Sequence, residues 1–160
     1  MSPRPHDKIT ENIYLGGSID YRAWTHLHKL GVTIVVSLQE EERDDFDDID
    51  PEAELWLPAP DMDMPTLDQM WHACAFMHTA ILMGKKLVIH CRWGVGRSPM
   101  TLAAYFVTQH MDPVHAVDML TAIRPIIQPN GQQIRHFEAF VRRYRAGGFP
   151  PLPGQERSHP

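Results

Sequence analysis

Val88-Ile89-His90-Cys91-Arg92-Trp93-Gly94-Val95-Gly96-Arg97-Ser98-Pro99 decides the fold. Leu87 to Ile89 is a short apolar, β-branched run that reads as a buried strand. Ser98-Pro99 before Met100-Thr101-Leu102-Ala103 reads as a helix start, with Ser at N-cap and Pro at N1. The loop between them joins a strand's C-terminal end to a helix N-terminus. In α/β proteins that is where anions bind, because unpaired N–H groups and the positive helix end converge there. Gly94 and Gly96 allow a tight curl of the backbone, so the N–H groups of Arg92, Trp93, Gly94, Val95, Gly96 and Arg97 are expected to cradle a phosphate.

The side chains around this cradle suggest chemistry. Thiols at helix N-termini beside cations ionise at about 3.5 to 7.5 rather than about 8.5, which makes Cys91 a candidate nucleophile at neutral pH. Arg97 offers a planar fork for two phosphate oxygens. Ser98 can donate to the sulfur and ease its departure in a second step.

These residues carry a family resemblance. His90-Cys91 followed by Gly94, Gly96, Arg97 and Ser98 resembles the signature of the cysteine-based protein tyrosine phosphatases, in particular their small dual-specificity branch. The likeness extends from Lys8 to Tyr144. It includes an Ile-Tyr-Leu-Gly opening at residues 13–16, and Arg124-Pro125 with Pro129-Asn130 before the final helix. It implies a metal-independent, cofactor-free enzyme that hydrolyses phosphotyrosine and phosphoserine/threonine in proteins through a cysteinyl-phosphate. It also implies a general acid on a loop some thirty residues before the cysteine. Asp61 stands there, in the proline-rich run Pro58-Ala59-Pro60-Asp61-Met62-Asp63-Met64-Pro65. Asp63 is nearer the helix opening at Thr66 and is expected to turn toward that helix's N-terminus. His90 is expected to support the cysteine loop from behind, and Asn130 to hold the active-site loops, to cap the last helix, or both.

Departures bear on the substrate. Trp93 lies within the cradle sequence and should point outward onto the rim. No segment resembles the clamp of the larger tyrosine-specific enzymes, so a shallow pocket is expected. Phosphoinositide-directed relatives usually carry two basic cradle residues. Here Arg92 is basic and Val95 is not, which leaves a phosphoinositide, or a silent phosphate-binding module, as the alternative.

Length and composition set the frame. The 160 residues, 43% hydrophobic and 22% charged, suit one soluble domain. Strands alternating with helices predict an α/β fold, with a central four- to five-stranded, mostly parallel sheet flanked by helices on both faces. The phosphatase domain is expected over 8–146, after a flexible arm at 1–7 and before a disordered Pro-rich tail at 147–160. Two cysteines form no disulfide framework, and no signal-peptide core or apolar span is visible, so a cytoplasmic monomer is expected. No basic stripe with interleaved aromatics suggests nucleic acid.

Charge is uneven. Residues 40–54 hold ten acidic residues against Arg43 alone. The segment reads as a solvated mobile loop. It lacks the glycine and closing glutamate of a calcium loop at the required offsets, and an acidic rim favouring basic substrates is the other reading. Cys74, on the apolar stripe of the helix after Thr66, reads as packing, with a redox partnership with Cys91 as the alternative. His72 and His78, on different faces of that helix, read as surface histidines.

Overall fold

The computed structural model describes residues 5–155, in the order β1 (His6–Thr10), β2 (Ile13–Gly16), α1 (Tyr21–Lys29), β3 (Val32–Gln39), β4 (Ala53–Ala59), α2 (Leu67–Leu82), β5 (Lys86–His90), α3 (Arg97–Thr108), α4 (Pro113–Ile123) and α5 (Gly131–Arg145). The five strands form one sheet in the order β1-β2-β5-β3-β4. Only the β1–β2 pair is antiparallel.

The β-branched run of β3 lies between β5 and β4, covered on both faces as its composition predicts. Alternate residues divide the core. Val35, Val88 and Tyr14 face α1, where they pack with Trp24 and Leu27. Ile34, Val36, Leu87, Ile89 and Leu15 face the larger helical layer. In that layer α3 has all of its residues buried and packs against α2, α4 and α5. No helix among the described residues is long and apolar enough to cross a membrane.

Helix boundaries follow local chemistry. Thr66 and Gln69 form a reciprocal capping box at α2, and Asn130 and Gln133 form another at α5, each satisfying backbone donors that a helix start leaves open. Asp112 accepts from Val114 N and His115 N, with Pro113 in the first turn of α4.

Both ends of the chain differ from expectation. Residue 7 is not in a loose arm: Asp7 belongs to β1 and pairs with the buried Arg124 at 2.9 Å. The tail packs as far as it is described. Phe149 and Leu152 are 6% and 2% exposed, Phe149 stacks on Trp71 at 4.9 Å, and Arg143 lies 4.2 Å over the Phe149 ring. His78, expected on the surface, is buried beneath the tail, with Nε2 2.8 Å from the Pro153 carbonyl. Prolines disfavour regular structure but not packing: Phe149 lies against Trp71 of α2 and Phe140 of α5, and Leu152 joins the same core cluster. Residues 1–4 and 156–160, the remainder of the expected arm and tail, lie outside the described residues.

Candidate active site

Parallel pairing brings the C-terminal ends of β2, β5 and β3 to one edge of the sheet, and the site assembles on the loops that leave them. The loop after β5 is drawn outward by its carbonyls. Arg92 O accepts from Ser18 N at 3.0 Å and Val95 O from Gln128 N at 2.9 Å. Between them, Gly94 O accepts from Arg124 Nε at 2.9 Å and Trp93 O from Arg124 Nη2 at 3.1 Å. Four successive carbonyls thus have outside partners. The N–H groups of residues 92–96 have none among the described residues, which leaves an anion cradle.

Glycine is required at one point of the loop and favoured at a second. Gly94 has φ +67, and a Cβ there would meet Gly16 O at 2.7 Å and Arg124 Nη2 at 2.8 Å. At Gly96 a Cβ would strike the Gln133 side-chain amide.

Cys91 is 2% exposed, with Sγ 3.2 Å from Ser98 Oγ. The expectation that Ser98 caps α3 is corrected. The N-cap is Gly96, with no side-chain cap bond, because the Ser98 hydroxyl is turned to the sulfur, and Pro99 is tolerated in the first turn.

Arg97 is 1% exposed and anchored on one edge. Its Nη1 donates to Ala59 O at 2.7 Å and to Glu41 Oε1 at 2.6 Å, and its Nη2 donates to Glu41 Oε2 at 2.8 Å. Both Nη1 hydrogens are thereby used, while Nε–H has no partner among the described residues. Nε–H and the second Nη2–H form the edge available to two phosphate oxygens. These bonds to Arg97 hold the Glu41 carboxyl down at about 2. Burial alone would lower the Arg97 pKa, but Glu41 together with Cys91 and Asp61 outweighs it and raises it.

The prolyl loop places its two aspartates differently. Asp61 Oδ1 is 3.5 Å from Arg97 Nη2, on a half-exposed side chain that lines the small cavity over Cys91. Asp63 Oδ1 accepts from Met64 N at 2.8 Å and from Gln132 Nε2 at 3.0 Å, so it serves α5 rather than the start of α2. Asn130 has both expected roles: it caps α5, and its Nδ2 donates to Met62 O at 2.7 Å.

His90 is fully buried, with Nε2 2.7 Å from Asp44 Oδ2 and Nδ1 3.4 Å from Cys91 O. The Arg92 side chain stays outside the cradle, 3.6 Å from Glu42 and over the Trp93 ring. Trp93 is 60% exposed on the rim. Cys74 is a free thiol, fully buried in the core, and burial pushes its pKa well up.

Three site residues are missing from the sequence reading: Glu41, Asp44 and, in its grip on the loop carbonyls, Arg124. The acidic segment is also not a free loop. Phe46 packs edge-on against Trp24 at 5.1 Å, Trp24 Nε1 donates to Ile49 O at 2.6 Å, and Gln39 Nε2 donates to Glu42 O at 3.0 Å.

Comparison with known proteins gives a consistent result. Residues 13–143 match the family model described as dual specificity phosphatase, catalytic domain. Human dual specificity protein phosphatase 12 is 27% identical over 147 residues, which cover 89% of this chain and 42% of that protein. Human dual specificity phosphatase 28 is 26% identical over 160 residues, with 95% and 89% covered. The chain spans less than half the length of phosphatase 12 and of the Xenopus laevis phosphatase 22 that it also matches. Among solved structures, PTPMT1 in complex with PI(5)P shares the fold at TM-score 0.80 and 20% identity, over 91% of this chain and 100% of that one. Human DUSP28 shares it at TM-score 0.76 and 22% identity, over 90% and 97%.

Proposed function

We propose, for a chain that belongs to the dual specificity phosphatase family, that it hydrolyses phosphotyrosine and phosphoserine/threonine monoesters in proteins through a phosphocysteine at Cys91. The observation that carries this reading is the cradle of unpartnered N–H groups above Cys91, held open by its outward-bonded carbonyls and flanked by the free edge of Arg97.

In the first step the Cys91 thiolate attacks phosphorus as the ester P–O bond breaks, and Asp61 gives its proton to the departing oxygen. The cradle and Arg97 stabilise the charge on the equatorial oxygens. In the second step water attacks the phosphocysteine and yields a proton to the Asp61 carboxylate. The S–P bond breaks, and the Ser98 hydroxyl donates to the returning thiolate. Neither step calls for a metal or cofactor. Asn130 and His90 act at one remove, the first by fixing the backbone beside Asp61 and the second by bracing the cysteine loop against Asp44.

The test is release of inorganic phosphate, with EDTA present, from a panel of phosphotyrosyl and phosphoseryl peptides, phosphoinositides, phosphoglucans and RNA 5′-phosphates. Turnover of the peptides, abolished in Cys91→Ser, is expected. Hydrolysis confined to phosphoinositides would replace the protein substrate with a lipid one.

A further inference from the structure

The catalytic pocket does not end at Trp93. Trp93 and Val95 line both the small cavity over Cys91 and a neighbouring groove of about 490 Å³, whose floor includes Ile126. Ser18 and Glu42 in turn line both that groove and a cavity of about 530 Å³. The three spaces therefore adjoin one another through shared lining residues, with Trp93, Val95 and Ile126 beside Arg92 and Arg124 in the middle and acids at the far end.

The far cavity is walled by Asp20, Asp44, Asp45 and Asp47 as well as Glu42. Among the described residues its one cationic wall residue, Arg43, is engaged elsewhere, over the Trp56 ring at 5.2 Å and 3.8 Å from Glu54, while Glu42 is paired with Arg92 at 3.6 Å, so the aspartates are the acids left open to a ligand. Asp44 supplies a separate indication of a ligand. Its side chain is 1% exposed and Oδ2 is bound to His90, yet Oδ1 has no hydrogen-bond partner among the described residues. A buried carboxylate oxygen without a partner is costly. The oxygen is covered, so a cation in the cavity would act on its charge through space rather than by a hydrogen bond. The wall is also pre-shaped, since Phe46, Gln39 and Trp24 pin the segment that carries these acids.

We propose that this cavity is a subsite for a basic side chain of the substrate, so that phosphopeptides bearing arginine or lysine on one side of the phosphoresidue are preferred. The proposal rests on the phosphoprotein reading above and deepens it. Spaces of these volumes are each about 10 Å across. At about 3.3 Å per extended residue, the cation falls roughly three to five residues from the phosphoresidue. The peptide stem crosses Trp93 and Ile126, and the phosphate occupies the cradle. The same carboxylates repel acidic peptides and anionic membrane surfaces.

The test walks a single arginine, then a single glutamate, along both sides of a neutral phosphotyrosyl peptide and compares kcat/KM in the wild type and in Asp45→Asn/Asp47→Asn. These substitutions preserve the local fold: Asp45 Oδ1 accepts from Asp47 N, which asparagine also allows, and asparagine tolerates the positive φ of Asp47. Arginine at the best position should exceed glutamate there by about fivefold or more, on one side only. The preference should fade in about 0.5 M salt and vanish in the double variant, with para-nitrophenyl phosphate turnover unchanged. Equal rates for arginine and glutamate at every position, or a preference that survives in the variant, would overturn the subsite and leave the phosphoprotein reading standing. Failure of every peptide while para-nitrophenyl phosphate is hydrolysed would overturn both.

Discussion

Glu41→Gln asks whether the carboxylate on Arg97 positions the guanidinium or competes with substrate for it. The two bonds, at 2.6 and 2.8 Å, engage Nη1 and one Nη2 hydrogen, which leaves the Nε edge for phosphate. On this geometry Glu41 is a support. Glutamine keeps one acceptor, but it loses the charge and sets an amide N–H against the other nitrogen. A hydrogen bond to a charged group contributes about 1.5 to 3 kcal/mol. Arg97 is buried, while the Glu41 side chain is 29% exposed and water can replace part of the loss, so the lower half of that range applies. If the mispositioning is felt in the transition state, kcat/KM on an aryl phosphate should fall roughly 10- to 50-fold. Competitive inhibition by inorganic phosphate should weaken in parallel, since both use the same fork. Glu41→Ala should cost more than Glu41→Gln. Faster turnover or tighter phosphate inhibition in Glu41→Gln would refute the reasoning and mark Glu41 as an occupant that substrate must displace.

Asp61→Asn should lose roughly 10² to 10⁴ fold on a phenyl or alkyl phosphate and much less on an ester of a very acidic phenol. Asp63→Asn should show no such leaving-group dependence, and the reverse pattern would shift the general acid by two residues. His6 is a pH probe of the fold: burial holds it at about 4 against an ordinary 6.5, so the unfolded chain binds the extra proton between those values. Stability should therefore be full above pH 6.5 and decline as pH falls toward 4, by about 3 kcal/mol. His6→Gln should flatten urea-denaturation midpoints across that window. Removing residues from Phe149 onward should cost about 3 to 5 kcal/mol from the two buried side chains, read as a lower thermal midpoint; an unchanged midpoint would show that the tail adds nothing.

Much of this molecule was legible because its signals are local. The β-branched run of β3, the helix N-caps at Thr66 and Asn130, and the strand-loop-helix around Cys91 each declare themselves within a few residues. Asp61 also emerged, through the resemblance and its prolyl loop. Glu41 did not, since it is one of ten acids in a stretch that composition marks as solvated. One signal lies in the sequence: in a mostly parallel sheet, residues that follow the run 32–38 leave at the same edge as Cys91. Arg124 required tertiary knowledge, because its partners lie 30 residues and more away in sequence. The tail was obscured by its prolines, which argue against regular structure and say nothing about whether Phe149 finds Trp71.

The central claim, a covalent phosphocysteine at Cys91, is tested most directly by rapid-quench turnover of an activated aryl phosphate at acid pH, followed by mapping of the trapped enzyme. A burst of phenol approaching one equivalent per enzyme is expected, with a phosphoryl group on the peptide containing Cys91. Both should be absent in Cys91→Ser. Full turnover by Cys91→Ser, or phosphate trapped on any other residue, would contradict it.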